Sequence, residues 1–405
     1  MRPTIDQLMS SLGCSKFPKR WRDIYDEAAD IYEKGDNPLL RSEYYDELNE
    51  KYRIFEDGLL DIYKKAATLL SENEYLSRFF CILCRSLKDR STIQCDIAQM
   101  ELPSPKNGED ILPYDMLTAL AMCQSTPDFY AQMVAHNVPQ RILLDSLKIP
   151  VKCVEYHNNR SARPRLTSFE WYQHAYDGKL YRVGRLQLEF PLGMPEMYRV
   201  FENEDGKTVS LANMTVHRDG FPLGSRNYED AEGSFTATVE ETDQYYEGYP
   251  FESNGHVSLN KIKLPKSDWS VKLERGDLLV GLHIPPNEPF GNDVVEEALT
   301  ESVKLLEKNY PEYKYKAFFC GSWLLDPALV EILGEDANIS KFCKRFIPFG
   351  VKSAGTSPFG YVFHKYGDDL KIEDFPENSR LQRALKRHYL SGKAIYDMHG
   401  VFFTN

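Results

Sequence analysis

No run of apolar residues in this 405-residue chain approaches the roughly 18 needed to cross a bilayer. The opening MRPTIDQLMSSLG also lacks an apolar core of signal-peptide length, so a cytoplasmic protein with no membrane partner is expected. Basic runs are missing as well: the longest is Arg383–His388, broken by Ala384 and Leu385, and 49 Lys and Arg against 61 Asp and Glu leave a net charge of -12. A nucleic-acid partner needs a basic face to meet its phosphates, and none is expected here.

Several catalytic signatures are absent too. The chain has no GxxxxGK[ST], no GxGxxG after a strand, no HExxH and no EF-hand loop. Cys320-Gly321-Ser322-Trp323-Leu324 lacks the flanking glycines of a serine-nucleophile elbow. The eight cysteines lie mostly inside apolar segments, as reduced buried thiols do. Cys81 and Cys84 form the one CxxC, in RFFCILCRSL, and no second CxxC or HxxxH follows at zinc-site spacing. That pair reads as helix core, and no metal site is expected.

What remains is a folded chain, 42% hydrophobic and 13% aromatic, longer than one core usually spans. Its pattern changes near residue 150. From Thr4 to about Lys148 apolar residues recur at three and four spacing, as in WRDIYDEAADIYE and EYLSRFFCILCRSLKD, which predicts five to seven packed helices. Thereafter short runs of period two predict strands: 179–190, 196–203, 208–214, 234–240, 256–264, 277–284, 315–325 and 360–366. Helices are predicted at 293–309, 327–346 and 379–392. The expected architecture is α+β, with a helical domain over 1–148 and a mixed-sheet domain with flanking helices over 149–405.

The segment 277–306, DLLVGLHIPPNEPFGNDVVEEALTESVKLL, carries the most specific order. A buried-type strand enters a Pro/Gly loop that opens onto a helix whose Val295, Ala298, Leu299, Ser302, Leu305 and Leu306 share one face. A helix N-terminus after a tight loop holds anions through its unpaired N–H groups and its dipole. Asn292 is the expected N-cap, and Gly291 before it permits close backbone approach or a positive φ. Pro285, Pro286 and Pro289 have no N–H to give, and Asp293, Glu296 and Glu297 put negative charge on the first turns.

The arrangement of Asp277, His283-Ile284-Pro285, the loop to Gly291, Tyr310-Pro311-Glu312, Gly321-Ser322-Trp323-Leu324-Leu325-Asp326-Pro327 and Asn338-Ile339…Phe342…Phe346 resembles a bacterial family of two-domain acyltransferases. These proteins join a helical N-terminal domain to a GNAT-like C-terminal domain. Arg182-Val183-Gly184-Arg185-Leu186-Gln187-Leu188-Glu189 is similar to a strand motif of the same family. The resemblance implies N-acyl transfer from acetyl-CoA or another acyl-CoA to a small-molecule amine, with no covalent enzyme intermediate. It also implies that Ile284, Asn287, Phe290, Gly291 and Asn292 meet the CoA pyrophosphate. The loop departs from the usual GNAT pattern, of which only Gly291 is retained.

Such a reaction needs a base for the ammonium nucleophile and a donor for the oxyanion. His283, near the strand end, and Glu189 are the candidate catalytic residues. Arg185, Gln187 and Glu189 alternate with Leu186 and Leu188, so they share a polar face, and Arg185 and Gln187 are candidates for substrate contact. Trp323 is expected to wall the acceptor site. Tyr245, in DQYYEGYP, marks an aromatic and acidic loop of the kind that lines sugar sites. A second reading therefore stays open, a GNAT-like fold without CoA binding that serves as a ligand-binding module, carbohydrate included, or as an interaction module. The helical domain is expected either to cover the cleft or to make a homodimer contact.

Overall fold

The computed structural model describes residues 2–56, 58–151, 154, 169–286, 288–367 and 369–404. It divides into two compact units, Met1–Val183 and Gly184–Asn405.

The first unit is helical: α1 (Ile5–Ser11), α2 (Trp21–Lys34), α3 (Ser42–Tyr52), α4 (Leu59–Glu72), α5 (Glu74–Leu87) and α6 (Ile93–Gln99). It continues through α7 (Leu112–Asp115), α8 (Leu117–Met122), α9 (Thr126–Ala135) and α10 (Gln140–Leu147), and ends with α11 (Phe169–Tyr176) and β1 (Leu180–Val183). There are more helices than the five to seven expected, because continuous apolar patterns are cut locally. The run from Glu43 to Leu70 breaks after Tyr52, where Arg53 takes φ 53°.

Helix α5 is the axis of this unit. Leu76, Phe79, Phe80, Cys81, Ile82, Leu83, Cys84 and Leu87 are all buried, so the helix is apolar nearly all round, as an enclosed helix must be. The Asn73 side chain caps it by accepting from the Leu76 N–H at 3.0 Å. Helix α2 lays Trp21, Ile24, Tyr25, Ala28 and Ala29 along one face, and Trp21 meets Phe79 edge-on at 5.6 Å. Cys81 and Cys84 are buried free thiols, and burial pushes the Cys81 thiol up to about 11. The polar counterpart is Asp96, 3% exposed, which accepts from Arg20 Nε at 2.8 Å and from the Ser86 hydroxyl.

The second unit is built on a mixed sheet. Its strands are β2 (Leu186–Gly193), β11 (Leu278–His283), β12 (Ala317–Ser322), β14 (Met398–Phe402) and β13 (Ile347–Gly350), in that spatial order. β11 and β12 are parallel, and the other adjacent pairs are antiparallel. A parallel pair needs a crossover. Helix α12 (Asn292–Asn309) supplies it, burying the stripe the sequence predicts from Val295 to Leu306. A three-stranded sheet of β10 (Trp269–Leu273), β3 (Tyr198–Asn203) and β4 (Thr208–Ala212) faces the main sheet. Tyr198, Val200 and Leu273 meet Leu279, Ala317, Phe349 and Val401 in the core between them, and Tyr198 stacks on Phe349 at 3.9 Å. Smaller ribbons, β5–β6 (Met214–Val216, Phe235–Ala237) and β7–β8–β9 (Glu240–Glu241, Tyr245–Gly248, Ile262–Pro265), complete the strands.

Several sequence expectations are corrected. The run 360–366 is not a strand: it lies largely in α15 (Ser357–Phe363), started by Pro358 and burying Phe359 and Phe363 one turn apart. The predicted helix 327–346 is two short ones, α13 (Ala328–Leu333) and α14 (Asn338–Cys343), separated at Gly334 with φ 83°. The strand run 179–190 breaks at Gly184, φ 52°. Only α16 (Arg380–Leu390) and α12 match their expected helices closely.

Candidate functional site

The centre of the second unit is the pair β11 and β12. Their parallel ladder runs Leu279↔Ala317, Val280↔Phe318, Gly281↔Phe319 and then ends. Beyond that rung Leu282 and His283 pair only with β2, while Cys320, Gly321 and Ser322 pair only with β14. The two strands thus stop bonding to each other at their C-terminal ends, immediately before the loop that leads into α12.

At that opening Glu189 and His283 come together, with His283 Nε2 2.9 Å from Glu189 Oε2. Glu189 is 7% exposed and His283 is partly buried. Two local devices produce the pair. Leu279 faces Leu192 and Gly281 faces Glu189, so three steps along β2 match two along β11, and the extra residue falls at Phe190–Pro191. This bulge changes which side chains of β2 reach the face of His283. Pro191 has no N–H for the ladder. The Tyr313 hydroxyl closes the irregularity, accepting from the Leu192 N–H at 3.0 Å and donating to the Leu279 carbonyl.

Gly281 is the second device. A β-carbon there would stand 3.2 Å from Glu189 Cβ and 3.4 Å from His283 Nε2, so any side chain at 281 crowds the pair and its neighbours must give way. Gln187 lies directly across from His283 on the same face.

Arg185, the candidate for substrate contact, braces the loop. Its Nε donates to the Pro289 carbonyl at 2.8 Å, its Nη2 to the Glu288 carbonyl at 3.2 Å, and its guanidinium lies 5.3 Å from the centre of the Phe290 ring. Phe290 in turn packs edge-on against Phe342 at 5.3 Å. Ile284 is the first residue past β11 and is partly buried. Asn287 lies outside the described residues.

The helix start also differs from expectation. Gly291, not Asn292, is the N-cap, and its φ of -79° is not positive. Asn292 is the first helical residue and accepts from Arg345 Nη2 at 2.9 Å through its side chain. Arg345 also pairs with Glu296. A cation is therefore brought to the acidic first turns from 53 residues away along the chain, which no local pattern announces. Trp323 is buried at the start of a short 3-10 turn, Trp323–Leu325, which the Ser322 hydroxyl caps. Tyr245 lies in β8, and Lys263 Nζ covers its ring face at 4.3 Å from the centroid.

A further histidine shares the site's face of the sheet. His399, in β14, pairs with Gly321. Burial in apolar surroundings lowers its imidazole to about 4. Among the described residues no group of three or more His, Cys, Asp or Glu is arranged to hold a metal ion, and no helix is long and apolar enough to cross a membrane. Two concavities lie away from the Glu189–His283 pair. One of about 560 Å³ in the helical unit is lined by Tyr32, Glu33, Glu74 and Arg78. One of about 180 Å³ in the sheet unit is lined by Ser210, Phe251, Glu252 and Ile347.

Solved structures share this fold. Over its whole length the chain resembles the crystal structure of an acyltransferase mutant in complex with octanoyl-CoA, with a TM-score of 0.60, 15% identity and 100% of both chains covered. It also resembles an acyltransferase in complex with decanoyl-CoA and teicoplanin, with a TM-score of 0.54, 16% identity and 99% of both chains covered. At such identities the likeness is one of fold. A search of curated proteins by sequence finds no match. Residues 180–402, from β1 to the last strand, match the family described as the GNAT-like C-terminal domain. The chain belongs to that family.

Proposed function

We propose that the protein is an acyl-CoA-dependent N-acyltransferase acting on a small-molecule amine. The observation that carries this reading is the Glu189–His283 pair at the point where the β11–β12 ladder ends, directly before the loop and the α12 N-terminus. An acyl-CoA laid between the two strands puts its thioester beside that pair and its pyrophosphate at the first N–H groups of α12. Arg345 offsets the acidic turn that would otherwise repel the phosphates. Two proteins of similar fold are bound to medium-chain acyl-CoAs, one of them with teicoplanin, which supports an acyl-CoA donor and a small-molecule acceptor.

In the reaction the ammonium form of the acceptor loses a proton to His283, directly or through water, with Glu189 orienting and stabilising the imidazolium. The freed amine nitrogen attacks the thioester carbon, the N–C bond forms, and the C–S bond breaks on collapse. The nitrogen of the tetrahedral intermediate gives up its second proton, which passes to the departing CoA thiolate, and the first proton leaves His283 for solvent, giving an amide and CoA.

Calorimetric titration with acetyl-, octanoyl- and decanoyl-CoA tests the donor, and release of CoA thiol in the presence of an amine panel tests the transfer. Binding of at least one acyl-CoA is expected. His283→Ala and Glu189→Gln should keep that binding while losing about 100-fold or more in turnover. Absence of binding at millimolar acyl-CoA would refute the reading in favour of a GNAT-like module that has lost CoA.

A further inference from the structure

We propose that His399 is a second catalytic residue of this site, whose Nε2–H donates a hydrogen bond to the thioester carbonyl oxygen and to the oxyanion that forms there. The inference rests on the acyltransferase reading above and assigns the part of the chemistry that Glu189 and His283 do not perform.

Position comes first. The last rung of the β11–β12 ladder is Gly281↔Phe319, His283 is two residues beyond it on β11, and Gly321 is two residues beyond it on β12. Gly321 pairs with His399 on β14. Residues level across a sheet share a face, so His283 and His399 stand on the same face at the same height, on opposite sides of the opening. At least two strand spacings, about 10 Å, separate them across the opening, which holds a reacting carbonyl and nitrogen with a hydrogen bond on either side. Gly321 keeps the floor between them open. A β-carbon there would lie 3.5 Å from His399 Cδ2 and 3.8 Å from its Nε2, so the Nε2 edge of the ring lies over the glycine.

Protonation follows from the neighbours. Tyr198 Oη lies 3.5 Å from His399 Nδ1, and Tyr198 is fully buried with its phenol pushed far above its usual range by that burial. A buried O–H without an acceptor costs about 1–3 kcal/mol, so the satisfied arrangement has the phenol donating to Nδ1. The proton of the neutral ring is then on Nε2. Phe319 closes on the ring edge-on at 4.9 Å, and its desolvation disfavours the imidazolium. A neutral imidazole with its N–H preset toward the opening suits an oxyanion and is a poor base, the complement of the Glu189–His283 pair. The donated proton stays on Nε2: the carbonyl π electrons move onto oxygen on attack and return when the C–S bond breaks.

The test uses octanoyl-CoA carrying ¹³C at its carbonyl, bound to the full-length protein and read by isotope-edited infrared difference spectroscopy. Calorimetry of the unmodified protein comes first, and no binding there sinks the acyltransferase reading and this inference with it. With binding established, the carbonyl band is expected at lower wavenumber than in apolar solvent. His399→Leu, which fills the site without a donor, should return the band upward and slow CoA release by about 100-fold, with Kd changed less than about twofold. His399→Gln restores a donor and should recover part of the shift. Tyr198→Phe leaves the ring in place and should weaken the shift by freeing the tautomer. It decides the matter if His399→Leu fails to fold. A carbonyl band that stays put in these variants while octanoyl-CoA remains bound overturns the proposal.

Discussion

Replacing Arg185 separates a loop brace from a substrate contact. The residue is 7% exposed, and its guanidinium makes two hydrogen bonds to loop carbonyls, at 2.8 and 3.2 Å, besides its contact with the Phe290 ring. Hydrogen bonds from a charged donor contribute about 1.5–3 kcal/mol each, and a partly desolvated cation–π contact about 0.5–2 kcal/mol. Against this stands the cost of keeping a guanidinium out of water, several kcal/mol. The carbonyls freed by its loss belong to the exposed residues Glu288 and Pro289, which water can serve. The net expectation for Arg185→Met is a loss of about 2 kcal/mol, concentrated in the 284–291 loop rather than spread over the core. If that loop must be ordered before it can receive the CoA pyrophosphate, the same energy appears in binding as a rise of about 30-fold in the Kd for octanoyl-CoA. Arg185→Lys should recover little, because an ammonium cannot span both carbonyls and lie flat on Phe290. Urea unfolding and calorimetry measure the two effects. Unchanged octanoyl-CoA affinity in Arg185→Met, with only the apparent KM for the amine raised, would refute the brace and restore Arg185 as an acceptor contact.

Other predictions follow from the same geometry. Gly281→Val forces its side chain against Glu189 and His283 and should cost about 1–3 kcal/mol of stability, together with the activity of the pair. An unaltered urea midpoint and turnover would show that β2 and β11 can relax. Asp326 is 4% exposed, accepts from the Tyr396 and Ala328 N–H groups, and is raised by burial from 3.8 to about 6. Its folded pKa lies above its unfolded one, so its contribution to the folded state is fully present only below about pH 3.8 and weakens by about 3 kcal/mol as pH rises through 6. The stability difference between Asp326→Asn and the unmodified protein, measured by urea unfolding from about pH 3 to pH 7, should shift by about that amount in favour of the variant. A flat difference would mean that Asp326 stays ionised in the fold. In the helical unit, Asp96→Ala removes the buried carboxylate from Arg20, which keeps Asp89 at 3.5 Å and the Ser86 carbonyl, and takes away the acceptor of the Ser86 hydroxyl. It should cost about 2–4 kcal/mol, read from the urea midpoint, and a neutral result would show that water replaces the carboxylate.

The elements that the sequence made legible are those whose signal is local. The α12 stripe repeats every three to four residues and needs nothing else to be seen. Glu189 and His283 were each visible, one from alternation along its strand and one from its place at a strand end. Their pairing was not, because it depends on a residue count between β2 and β11 that only the folded ladder reveals. His399 sits in MHGVF, with no motif around it, and it reaches the site only because β14 lies between β12 and β13. Arg345 is hidden for the same reason. The segment GYVFHKY shows the opposite failure, a period-two pattern overridden by a proline start and a buried Phe pair at helical spacing.

The bulge at Phe190–Pro191 makes the site sensitive to chain length more than to residue type. Upstream of it, β2 presents Gln187 and Glu189 to one face and Leu186 and Leu188 to the other, and the extra residue determines which set meets His283. Deleting one residue there alters no other side chain yet turns the strand over, carrying the carboxylate into the packing beneath α12 and leucines into the opening. Descendants of this chain can therefore exchange residues along β2 and drift gradually. A single-codon gain or loss at this point would convert an acid–base site into an apolar groove in one step.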